Sequence, residues 1–154
     1  MVKVLFYKGR RCENKSATLF DNFICWLTAS RFSHVELAFD TSEPYVYECW
    51  SSSTRDGGVR VKRIDTSSEN WVILSVDKDV PAHKLLAERG KKYDYTGLIG
   101  AVLTSEQFQN EKRRFCSEFV GAMLDMPDSY LLTPEELYER LAGLSSLPVA
   151  SRRV

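Results

Sequence analysis

His34-Val35-Glu36-Leu37-Ala38-Phe39, then Asp40-Thr41-Ser42-Glu43-Pro44, then Tyr45-Val46-Tyr47-Glu48-Cys49-Trp50, forms two alternating runs separated by turn residues. That pattern reads as a β-hairpin. Successive side chains of a strand point to opposite sides. Val35, Leu37 and Phe39 therefore share one face, and His34, Glu36 and Ala38 the other. The first face is core, while the second carries an imidazole and a carboxylate and must meet something that tolerates both. In the second run Val46, Glu48 and Trp50 share a face, opposite Tyr45, Tyr47 and Cys49. Register decides whether Glu48 joins His34, because residues opposite each other point the same way only across an odd-length loop. A five-residue loop, 40–44, pairs Phe39 with Tyr45, sets Glu36 opposite Glu48 and leaves His34 diagonal to Glu48. A three-residue loop that pairs residues 39 and 43 sets Glu48 directly across from His34, and an even loop separates the two.

Further strands are predicted at residues 2–7, 58–64 and 71–76, with a polar loop over Ser51 to Gly58 that either lines a site or is an ordinary surface turn. Ser16 is a candidate cap for a helix to about Ser30, with Leu19, Phe20, Phe23, Ile24 and Leu27 on one face. After Pro81 the period becomes helical, at residues 82 to about 90, 96–103 and 113–126. Thr133-Pro134-Glu135-Glu136 is a capping box with proline in the first turn, opening a last helix to about Leu141. Residues 143–154 read as a flexible tail. Strands gathered in the first half and helices in the second predict an α+β class. No repeat or linker divides the 154 residues, so residues 1–154 read as one domain.

Composition excludes several functions. Twenty-one basic and 21 acidic residues cancel, which argues against wholesale binding of nucleic acid or an anionic membrane. The four cysteines, Cys12, Cys25, Cys49 and Cys116, include no CxxC pair, and there are two histidines. Neither a metal site nor a disulfide framework is expected, and no cofactor is implied. The first residues lack the apolar run of a signal peptide, and no stretch approaches the ~18 apolar residues of a membrane span. A cytoplasmic protein in a reducing compartment is the expectation, with oligomeric state open.

Cys116 lies in Arg113-Arg114-Phe115-Cys116-Ser117-Glu118-Phe119-Val120. In the first turn of a helix its thiolate would meet unpaired N–H groups and the positive end of the dipole. Val120, Met123 and Leu124 follow at helical spacing, so Cys116 equally fits a buried stripe. His34 starts an alternating strand near carboxylates, whereas His83 follows Pro81-Ala82 without chemical neighbours. Cys25 and Cys49 read as small buried hydrophobes and Cys12 as a loop residue.

Taken in order, Leu5-Phe6-Tyr7-Lys8-Gly9, Arg31-Phe32-Ser33-His34-Val35-Glu36-Leu37, Val46-Tyr47-Glu48-Cys49, Lys92-Tyr93-Asp94-Tyr95-Thr96-Gly97-Leu98, Phe115-Cys116-Ser117-Glu118-Phe119-Val120 and Thr133-Pro134-Glu135-Glu136-Leu137 resemble the circularly permuted papain-fold hydrolases of NlpC type. That group includes cell-wall peptidase relatives and lecithin:retinol acyltransferase-like enzymes. The order histidine, acid, cysteine is what permutation implies. The resemblance implies an antiparallel sheet or small barrel packed on a helix that carries a nucleophilic cysteine. Its catalytic set is Cys116 as nucleophile, His34 as base and Glu48 as orienter. Many relatives have glycine two residues after the histidine, where this chain has Glu36. A carboxylate there narrows the site, binds a cationic substrate group or competes with Glu48 as orienter. Two neighbouring carboxylates would also raise one pKa. Phe115 stands where non-permuted peptidases often have aspartate, so muropeptide specificity does not carry over directly.

The implied chemistry is acyl transfer through a covalent acyl-enzyme on Cys116, with the backbone N–H of Cys116 and the Tyr7 hydroxyl as candidate oxyanion donors. Tyr93 and Tyr95 either shape the acyl groove or pack in the core. Three functions follow: an amide hydrolase, including a cell-wall peptidase that reaches its substrate without its own export signal; a thiol acyltransferase or esterase on lipid or thioester acyl groups; and a non-catalytic module that holds a peptide or acyl group. The complete Cys, His and Glu set favours an enzyme, and the lack of an apolar anchor favours the amide reading.

Overall fold

A computed structural model describes residues 1–8, 31–53, 55–93 and 113–146. Five antiparallel strands form the body of a sheet: β1 (Val2–Lys8), β2 (Phe32–Asp40), β3 (Val46–Ser53), β4 (Gly58–Asp65) and β5 (Trp71–Val76). Their spatial order is β5-β1-β2-β3-β4, continued by two short strands, β6 (Lys92–Tyr93) and β7 (Arg113–Arg114). β6 pairs antiparallel to β4, and β7 runs parallel to β6. The helices among the described residues are α1 (Ala82–Glu88), α2 (Cys116–Met123) and α3 (Pro134–Ser146), with a 3-10 turn at Ser129–Leu131. The class is α+β, with an antiparallel sheet carrying helices on one face.

Alternation dictates which residues face the helices. Leu74, Val4, Leu37, Trp50 and Val61 lie side by side across all five strands. They join Phe6, Phe32, Val35, Phe119, Val120, Met123 and Leu137 in the main core. α2 packs this face against β2 and β3, and α3 packs against β2 and β5. Burying each such side chain stabilises the fold by about 1.5–3 kcal/mol. On the opposite face Leu5, Ala38 and Cys49 form a small second cluster, with Tyr47, Ile64, Trp71 and Ile73 against it.

The hairpin register departs from both versions drawn from the sequence. The pairs are Asp40↔Tyr47, Phe39↔Glu48, Ala38↔Cys49 and Leu37↔Trp50, so the loop is 41–46 and has even length. Thr41 closes it, donating its hydroxyl to Val46 O at 2.6 Å and accepting from Glu43 N at 3.2 Å. Tyr45 belongs to the turn, with φ of 61°, and its carbonyl accepts from both the backbone and the hydroxyl of Thr66. This register turns Trp50 onto the core face beside Leu37, which is the larger apolar gain.

Other boundaries also moved. Ser51, Ser52 and Ser53 are buried at the end of β3 rather than part of a surface loop. The helix expected over 113–126 is confined to Cys116–Met123, because Arg113–Arg114 pairs with β6 and Phe115 is extended, at φ −99° and ψ 171°. α3 continues through Gly143 to Ser146, past the point where a tail was expected. Its capping box forms as expected: the Glu136 carboxylate accepts from Thr133 N at 2.8 Å, and Glu136 N donates to the Thr133 hydroxyl at 3.3 Å. The helices expected at 16–30 and 96–103, the end of the tail and residues Cys12, Cys25 and Tyr95 lie outside the described residues.

Candidate active site

The Cys116 thiol is set by the start of α2. Phe115 caps the helix in an extended conformation, and its N–H donates to the Glu118 carboxylate at 3.3 Å. The first intrahelical bond runs from Phe119 N to Phe115 O, at 2.9 Å. The N–H groups of Cys116 and Ser117 precede that bond and project from the positive end of the helix. The Ser117 hydroxyl donates to Leu132 O at 2.5 Å, which pins this first turn to the segment leading into α3.

His34 is set by the early end of β2. Arg31, just before the strand, is clamped by Glu135 in the first turn of α3: its backbone N–H and its Nε each donate to that carboxylate at 2.8 Å. The β2–β3 ladder ends at Leu37↔Trp50. Beyond it, the Ser51 hydroxyl donates to Val35 O at 2.6 Å, holding the strands together where backbone pairing has stopped. At this opening the His34 imidazole comes within hydrogen-bonding reach of the Cys116 thiol. The thiol is buried and the imidazole half-buried.

The second imidazole contact is to Glu36, with Nε2 and Oε1 at 2.8 Å. Glu36 follows His34 by two residues, so the two share a face of β2. Its carboxylate is 1% exposed. Arg60 of β4 grips it with both terminal nitrogens, Nη1 to Oε2 at 2.6 Å and Nη2 to Oε1 at 2.5 Å. Arg60 Nε donates in turn to Asp56 Oδ2 at 3.0 Å, and Lys62 donates to the other Asp56 oxygen. A continuous polar chain therefore runs from Cys116 through His34, Glu36, Arg60 and Asp56 to Lys62.

Burial alone would depress the His34 pKa. The Glu36 charge and the bonds to Cys116 and Glu36 outweigh it and push the pKa up to about 10. Burial alone would raise the Glu36 pKa, but hydrogen bonds from Arg60 and the proximity of His34 take it below the ordinary carboxylate value. The expected rise from carboxylate repulsion does not occur, because the neighbours of Glu36 are cations. With Nε2–H directed at Glu36, Nδ1 is the nitrogen left to accept the thiol proton.

Glu48 is not part of this constellation. The even loop turns it to the other face of the hairpin, opposite Phe39, where it is exposed and accepts from Trp50 Nε1 at 3.1 Å. Tyr7 lies directly across from His34 on β1, and its ring packs on Trp71 at a centroid distance of 4.9 Å. Tyr93 is in β6. Cys49 is buried in the second cluster, its thiol pKa raised by burial and by the nearby Glu36 charge. Arg60 and Asp56 were not anticipated from the sequence. The signal was present in Val59-Arg60-Val61-Lys62: with two valines inward, two cations fall on the face that carries Glu36.

No family model, curated protein or solved structure matches the chain.

Proposed function

We propose that this chain is a cysteine-dependent amide hydrolase on a permuted papain-like plan, with Cys116 as nucleophile, His34 as base and Glu36 as the residue that orients the imidazole. One observation carries the reading: a single imidazole bonds a buried carboxylate through one nitrogen and lies within hydrogen-bonding reach of a thiol on the first residue of a helix. A core cysteine needs none of these partners. The chain order of histidine, acid and cysteine supports the permuted plan, with the acid moved from β3 to β2.

In the proposed reaction His34 Nδ1 takes the Cys116 proton as Sγ bonds to the substrate carbonyl carbon. The carbonyl oxygen gains the electron pair and is stabilised by the N–H groups at the start of α2. Collapse of that intermediate breaks the C–N bond, and His34 gives its proton to the departing amine. Water then attacks the thioester, again deprotonated by His34, releasing the acid and regenerating the thiol. Glu36 keeps the Nε2–H tautomer and stabilises the imidazolium between these steps. No helix among the described residues is long and apolar enough to cross a membrane.

The test is to incubate the protein and its Cys116→Ser variant with muropeptides, isopeptide-linked peptides and acyl esters. Release of a free amine by the wild type alone supports the reading. Turnover of acyl esters with no amide cleavage would shift the assignment to an esterase or acyltransferase. Equal activity of Cys116→Ser would refute it.

A further inference from the structure

Glu36 poses a difficulty that its other partner resolves. A carboxylate with 1% exposure beside the Cys116–His34 pair favours the imidazolium, but left unbalanced its negative charge would equally oppose a thiolate on Cys116. Building on the catalytic reading of Cys116 and His34, we infer that Arg60 is a positioning residue for that pair, its guanidinium fixing the Glu36 carboxylate and balancing its charge, so that the carboxylate orients the imidazole without opposing the Cys116 thiolate.

The geometry supports this in two ways. Arg60 meets Glu36 through two parallel N–H···O bonds, at 2.6 and 2.5 Å, which fix the carboxylate plane and aim Oε1 at His34 Nε2. The charges around the site also balance. On this face β2 contributes Glu36, the loop before β4 contributes Asp56, and β4 contributes Arg60 and Lys62, all linked to one another. Two carboxylates and two cations cancel, and His34 with Cys116 is left as a neutral couple, either thiol with imidazole or thiolate with imidazolium.

Among the described residues, the remaining titratable side chains around the site leave that balance intact. Tyr7 of β1 faces His34, and Cys49 of β3 is a buried thiol with a raised pKa. Glu118 of α2 accepts from the Phe115 N–H, and Lys3 is paired with Asp40 at the far end of β2. Without Arg60 one negative charge is uncompensated, and it would oppose formation of the Cys116 thiolate.

The test is the pH dependence of Cys116 alkylation by iodoacetamide, read by mass spectrometry at that cysteine. Arg60→Gln should move the half-maximal pH upward by at least about one unit, a roughly tenfold loss of rate at a fixed pH below it. Arg60→Lys keeps the charge and should stay near the wild-type profile. Arg60→Gln combined with Glu36→Gln removes one charge of each sign, and a glutamine still accepts from Nε2, so the double variant should return toward wild type. A double variant as slow as Arg60→Gln alone, or an unmoved profile in Arg60→Gln, overturns the inference. If Arg60→Gln does not fold, loss of the wild-type profile in either Arg60→Lys or the double variant overturns it. Alkylation of the wild type that is indifferent to His34→Ala refutes instead the catalytic reading on which the inference rests.

Discussion

Replacing Glu36 by glutamine keeps the shape of the side chain and removes its charge, and the structure sets the size of the effect. Oε1 accepts from both His34 Nε2 and Arg60 Nη2, while Oε2 accepts from Arg60 Nη1. One end of a glutamine amide is a donor, so at least one of these contacts becomes donor against donor. Removing one partner of a buried ion pair costs about 3–5 kcal/mol. Arg60 keeps 16% and His34 24% of its side-chain surface in water, which favours the lower end, about 3 kcal/mol.

The pH dependence has a definite sign. The raised His34 pKa contributes stability in full below 6.5 and loses it as pH rises through about 10. The lowered Glu36 pKa contributes above 4.5 and loses its share as pH falls through the folded value. The gap between wild type and Glu36→Gln is therefore widest between those limits and narrows towards alkaline and strongly acid pH. Urea unfolding across pH measures it, and NMR titration of the His34 ring protons should show its pKa lowered by at least about two pH units. A loss under about 1 kcal/mol with an unmoved His34 titration would refute the Glu36–His34 assignment.

Three further outcomes follow. Glu48→Gln should leave the rate and pH profile of Cys116 alkylation unchanged, because Glu48 is on the other face; a tenfold loss would restore the register that brings it to His34. Ser51→Ala removes the 2.6 Å bond to Val35 O and should cost about 1–3 kcal/mol in urea unfolding, with a value near zero showing that backbone pairing takes its place. Gly58→Ala would set a methyl 1.9 Å from the Lys91 carbonyl oxygen, so β4 must part from β6; a melting temperature equal to wild type would contradict that packing.

All five long strands and their approximate bounds were legible, by period-two alternation at 34–39, 45–50 and 58–64 and by short apolar runs at 2–7 and 71–76. The hairpin register was not. Reading Tyr45 as the first residue of β3 ignored Thr41, whose hydroxyl closes a longer turn and leaves Tyr45 at positive φ. Trp50 held the correction: only an even loop puts its ring on the face of Val35 and Leu37. The odd registers bring Glu48 to His34, whereas in the even register the carboxylate that meets the imidazole is Glu36, two residues along on the same face. Three consecutive serines suggested a loop, but burial and the Ser51 hydroxyl bond make them strand. Cys116 could be placed near a helix start, yet its meeting with His34 depends on where β3 parts from β2, which no local pattern encodes.

The central claim is tested most directly by the rate at which Cys116 reacts with iodoacetamide in the folded protein near neutral pH, measured beside Cys49 as the internal reference. The account predicts that Cys116 reacts at least about tenfold faster than Cys49 and that His34→Ala abolishes the difference. Reaction of both thiols at one rate, and only on unfolding, would contradict it and leave Cys116 as a core residue.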